Sequence, residues 1–122
     1  MCSSDLFQHA GAAALQLGDA FYAAFAADLK AKRDRLCDGL EAVGLSVRRP
    51  AGTYFATADI RSIGEEDALA FCRALPERCG VVAIPSSVFY EDPSRGRSLV
   101  RFTFCKRDEV LDDAVARLKA LA

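Results

Sequence analysis

The sequence predicts a two-layer α/β domain, a small mixed β-sheet with helices packed against it. Two observations carry that prediction. Apolar residues recur at helical spacing in some stretches and alternate at strand spacing in others, in the order long helix, two strands, helix, strand, strand, helix. A chain of 122 residues, 52% of them hydrophobic, is also long enough for one such core and too short for two.

Residues Met1 to Leu6 match no element, and Phe7 to Leu17 read as an Ala-rich helix stopped at Gly18. Asp19 is expected to cap the next helix, because a short carboxylate accepts bonds from the first free N–H groups. From there Tyr22, Phe25, Leu29, Leu36, Leu40 and Val43 form one apolar stripe, and Asp28 and Lys32 are spaced for an ion pair. Gly44 suits the left-handed position after the last turn. Leu45 to Arg49 is a short strand ended by Pro50, and Ala51-Gly52-Thr53 turns the chain into a second strand, Tyr54 to Ile60. Glu65 to Leu75 is helical with Leu69, Cys72 and Leu75 inward, and Pro76 threatens its last turn. Val81 to Ile84 reads as a buried strand halted by Pro85, and Asp92 to Ser98 as an exposed loop. Leu99 to Phe104 alternates, with Val100, Phe102 and Phe104 on one face and Leu99, Arg101 and Thr103 on the other. Asp108 is expected to cap a last helix with Leu111, Ala114, Val115, Leu118 and Leu121 inward.

Composition excludes several functions. Sixteen basic against seventeen acidic side chains leave a net charge of −1, so the basic excess of a nucleic-acid binder is missing. No apolar run approaches the ~20 residues of a membrane span. Cys2, Cys37, Cys72, Cys79 and Cys105 are odd in number and widely spread, and His9 is the sole histidine, which suits neither zinc nor a disulfide framework. Reduced, mostly buried thiols in a cytoplasmic protein are expected.

Spacing alone assembles no complete active site. His9 has no evident partner, and the Glu65-Glu66-Asp67 run suits a helix start. The loop Arg95-Gly96-Arg97 is too short to cradle a phosphate, and Arg48 and Arg49 read as a solvated strand end. Lys106 leaves a strand where an exposed lysine is ordinary, whereas a reactive one needs a desolvated pocket. Arg101 has two readings. It is an arginine on the wet face of a half-buried strand, or a guanidinium held rigidly so that its planar fork meets a carboxylate.

Five stretches, taken together and in order, decide between those readings. Gln8 to Leu15, Lys32 to Leu36 leading to Gly39-Leu40, Pro50 to Phe55 with Ala58-Asp59-Ile60, Gly80 to Pro85 with Phe89-Tyr90, and Leu99 to Lys106 resemble the C-terminal small domain of class I/II aminotransferases. The resemblance is to the branch of kynurenine, glutamine, methionine and succinyldiaminopimelate aminotransferases. It implies a fold-type I enzyme, homodimeric, that uses pyridoxal 5'-phosphate to move an amino group between an amino acid and a 2-oxo acid. It implies that Arg101 binds the substrate α-carboxylate and makes Tyr54 a candidate pocket residue. It also implies a division into an unrelated stub (1–6), an interdomain helix segment (7–18) and the small domain (19–122). The cofactor lysine, the aspartate facing the pyridinium nitrogen and the phosphate-binding groups belong to the family's large domain, and none of Lys30, Lys32, Lys106 or Lys119 matches the lysine motif. The chain is therefore expected to be a piece of a larger enzyme, inactive alone. The alternative is a non-catalytic module that binds a carboxylate ligand or a partner chain.

Overall fold

The computed structural model describes residues 3–121. Met1, Cys2 and Ala122 lie outside them, and with them the expectations for the Cys2 thiol and for the first two residues of the N-terminal stub. Two helices open the chain, α1 (Ser3–Leu15) and the long α2 (Asp19–Ala42). The first helix starts at Ser3, inside the stretch for which no element is predicted. Gly18, in extended backbone, is the residue before α2, and no side chain caps it. Asp19 is therefore not the expected cap. It sits in the first turn, where a carboxylate favours the positive end of the helix dipole. Val43 closes α2, and Gly44 takes the left-handed bend with φ +91°.

Four strands follow: β1 (Ser46–Arg48), β2 (Phe55–Asp59), β3 (Ile84–Pro85) and β4 (Leu99–Thr103). They lie in the order β1-β2-β4-β3, and every pairing is antiparallel, so the sheet is not mixed as predicted. The expected strand Val81–Ile84 is reduced to Ile84–Pro85. Proline has no N–H to give a ladder, which confines the pair to the sheet edge. Val81 and Ala83 are buried without pairing, while Val82 and Ile84 face outward.

Helices α3 (Ala68–Cys79) and α4 (Asp108–Leu118) complete the order. Helix α3 begins three residues later than predicted because the Asp67 carboxylate accepts from the Leu69 and Ala70 N–H groups. It also runs through Pro76 to Cys79, and the Gly80 N–H closes it on the Pro76 carbonyl at φ +72°. Its inward stripe is Ala68, Phe71, Cys72 and Leu75, and Leu69, expected inside, is exposed. Arg107, not Asp108, precedes α4, and Asp108 again supplies charge to a first turn.

One face of the sheet is the core. Ala58, Val100 and Phe102 alternate onto it and meet Leu36, Leu40, Phe71, Leu75, Leu111 and Leu118 from the helices, and Ala56 is buried on the same face. Gly39 lets α2 and α4 close on each other, since a Cβ there would lie 2.6 Å from one methyl of Val115. The opposite face of the sheet carries Phe55, Thr57, Asp59 and Arg101, all of them only partly buried, and is the open one among the described residues. Everything at the candidate site starts from that asymmetry.

Candidate functional site

Strand alternation directs Arg101 away from the core that its neighbours Val100 and Phe102 enter. Its guanidinium carbon lies 4.6 Å from the centre of the Phe55 ring and 4.2 Å from that of Phe89. Phe55 reaches it because β2 pairs Thr57 with Arg101 and Phe55 with Thr103, one diagonal step along the same face. Phe89 arrives from the 3₁₀ turn Ser86–Phe89 that follows β3. That turn is held from behind by the 3₁₀ turn Pro93–Gly96, where Gly96 is buried against it. A Cβ at position 96 would meet the Ser87 backbone nitrogen at 2.6 Å.

The two rings hold the guanidinium through the negative charge of their faces without neutralising it. No carboxylate of the described residues pairs with Arg101, although ten other ion pairs form. A half-buried cation that keeps its donors unspent is chemically a receptor for an external carboxylate or phosphate.

Tyr54 is half-exposed just ahead of β2, and its ring meets Phe55 edge-on at 5.6 Å. It joins Phe25, Leu29, Thr53 and Cys105 around a cleft of about 320 Å³. The two predicted site residues, Tyr54 and Arg101, therefore both meet the Phe55 ring. Backbone bonds fix this corner: the Phe104 N–H and the Thr103 hydroxyl both donate to the Tyr54 carbonyl. Thr53, with φ +68°, is the sole non-glycine residue at positive φ among the described residues. The turn Ala51-Gly52-Thr53 also borders a larger cleft of about 440 Å³, with Phe25, Leu29, Lys30, Arg33 and Phe104. Phe55 was within reach of sequence reasoning, because period-two alternation puts it on the Arg101 face. Phe89 was not, since it reaches the site through an irregular turn.

The remaining candidates stay apart. His9 is exposed on α1, and Glu65 pairs with Arg78 at 2.6 Å. Cys37, Cys72, Cys79 and Cys105 are free thiols; Cys37 and Cys72 are buried, and burial pushes the Cys72 thiol up to about 11. Cys105, by contrast, is exposed. Among the described residues no group of His, Cys, Asp and Glu could hold a metal, and no helix is long and apolar enough to cross a membrane.

A helix-backed antiparallel sheet whose open face presents an unpaired arginine against two aromatic rings defines the class as a two-layer α/β domain. Comparison with known proteins narrows it: the chain belongs to the aminotransferase class I and II family, whose profile matches residues 1–118. The solved N-succinyldiaminopimelate aminotransferase of Mycobacterium tuberculosis is similar at 51% identity and a TM-score of 0.88, over 95% of this chain and 30% of that one. The methionine aminotransferase of Escherichia coli is 38% identical over 74% of this chain and 23% of its own length. The mouse kynurenine–oxoglutarate transaminase 3 is 36% identical over 71% and 22%. The chain spans 31% or less of the length of these curated relatives.

Proposed function

We propose that the chain is the carboxylate-recognising portion of an aminotransferase that moves an amino group between an amino acid and a 2-oxo acid. The observation that carries this reading is the unpaired Arg101 guanidinium between Phe55 and Phe89. The similar proteins are named for a succinylated diamino acid, for methionine and for kynurenine with oxoglutarate. Their side chains have little in common, and the α-carboxylate is what an amino donor or oxo acceptor always brings. A guanidinium fork meets that carboxylate with two parallel bonds, a charge-assisted contact of about 1.5–3 kcal/mol. Phe55 and Phe89 keep the fork from rotating and exclude water from its two faces, so little ordering remains to be done when the acid arrives. Tyr54, beyond Phe55, serves as a wall of the pocket.

The cofactor of this family, pyridoxal 5'-phosphate, does not fit the described residues by themselves. Its covalent attachment needs a lysine that loses its proton readily in a desolvated pocket. Lys30, Lys106 and Lys119 are exposed, and Lys32 donates to Asp28, which raises its pKa and holds the proton on. No step of the reaction is therefore assigned to these lysines. In this reading the cofactor is bound by the part of the relatives' length that has no counterpart here, in a cytoplasmic homodimer, and this chain supplies substrate recognition.

A chimera tests the proposal. The 122 residues replace the matching segment of the M. tuberculosis enzyme, and transamination is measured with and without Arg101→Lys. The chimera is expected to be active, and the lysine variant to raise KM for the amino donor by about tenfold or more, because one ammonium cannot make two parallel bonds. An unchanged KM removes Arg101 from the site. A folded, cofactor-loaded chimera without activity removes the transaminase reading.

A further inference from the structure

Arg101 has company on the open face. The strand register sets Arg48 of β1 opposite Thr57 of β2, and Thr57 opposite Arg101 of β4. Residues directly opposite one another project to the same side of a sheet, so these three share one row across it. Two strand spacings of about 4.8 Å put the Cα atoms of Arg48 and Arg101 roughly 10 Å apart.

The adjacent arginine shows what an arginine here does when protein acids are in reach. Arg49 turns to α2, where Asp34, Asp38 and Glu41 surround it, the last at 2.6 Å. Arg48 faces the other way. The one carboxylate of the described strand residues, Asp59, is bound by Arg61, and Arg48 is in none of the ion pairs of the described residues. The open face thus presents two uncompensated guanidinium groups with Thr57 between them and no acid left to neutralise either.

We propose that Arg48 is a second carboxylate contact of the Arg101 site and selects dicarboxylic amino acids and 2-oxo acids. The inference rests on the reading of Arg101 as the α-carboxylate contact. The dimensions suit a five-carbon diacid. With C–C bonds of about 1.5 Å its terminal carbons lie about 5 Å apart when extended. Adding about 4 Å for each guanidinium–carboxylate pair gives a span of roughly 13 Å. With Arg101 held in place by Phe55 and Phe89, the long, exposed side chain of Arg48, rooted about 10 Å away, covers the difference by leaning slightly outward. A monocarboxylate uses Arg101 alone and leaves Arg48 in water.

The test titrates the 122-residue chain with glutarate and with butyrate while the arginine Nε–H signals are followed by NMR, whose amide spectrum also reports the fold of each variant. Butyrate is expected to move the Arg101 signal only, glutarate to move those of Arg101 and Arg48, and glutarate to bind about 3- to 10-fold more tightly. Arg48→Gln should bring glutarate down to the affinity of butyrate without changing butyrate itself. Arg48→Lys, which keeps the charge, should retain an intermediate preference. Arg107→Gln, the same loss of charge before α4, should leave the preference intact. If Arg48→Gln preserves the preference, or Arg107→Gln lowers it equally, the proposal fails and Arg101 keeps its role. If neither acid moves the Arg101 signal, the reading of Arg101 fails, and the proposal with it.

Discussion

Helix α2 is one unbroken rod with two different halves. From Leu36 onward its large apolar residues are buried: Leu36, Leu40 and then Val43 join the core with the sheet and α4, and Cys37 is buried beside them. Before Leu29 the same kind of residue lies open, with Phe21 51% and Phe25 55% exposed, and Phe7 and Leu15 of α1 more exposed still. The aromatic residues there settle for one another, Phe21 stacking on Phe25 at 6.4 Å and Tyr22 donating to the Ala14 carbonyl. Periodicity tells which side of a helix is apolar. Whether anything covers that side is decided by the sheet, which reaches only the C-terminal half of the rod. The sheet end therefore carries the stability, and the arm formed by α1 and the start of α2 carries apolar surface of the kind that marks an interaction site.

Substitutions at the two ends test this contrast. Phe104→Ala, at a residue 1% exposed, should cost about 3–5 kcal/mol in denaturant unfolding, because a large ring leaves a cavity in a packed core. Gly39→Ala should cost about 1–3 kcal/mol in the same measurement, since the added methyl drives α2 away from Val115. Acid should have a smaller effect. Arg61 draws the Asp59 carboxyl down to about 2, below its ordinary 3.8, so the folded form is favoured above the ordinary value. That contribution is lost as pH falls from about 4 towards 2, and is held below about 1 kcal/mol by the exposure of Arg61. Asp59→Asn should flatten this part of the stability–pH curve. Phe25→Ala on the arm should change stability by no more than about 0.5 kcal/mol. A loss above 2 kcal/mol there would mean that the arm is as tightly built as the sheet end.

Alternation and turn residues made β2 and β4 legible within a residue at either end, and the faces of Val100, Arg101 and Phe102 with them. Three features escaped for physical reasons. Asp19 and Asp108 carry the residue type of a cap, yet they sit one position inside their helices, where the same carboxylate acts through the dipole instead. Pro76 was expected to end α3, but a proline costs only its own N–H and crowding near a helix end, and the burial of Phe71 and Leu75 outweighs that. The grouping around Arg101 in the candidate site was half legible. Resemblance supplied Arg101 and Tyr54, and strand period implied Phe55, whereas Phe89 depends on a path through two short 3₁₀ turns that no period encodes.

That path has a consequence for inheritance. The ring over Arg101 is seated by a turn whose back is pressed by Gly96, a buried residue with no side chain of its own. Positions 89, 96 and 101 behave as one trait: a drift to alanine at 96 would be felt at the arginine five residues later in the chain. Surveys of variants restricted to side chains on the open face would overlook it.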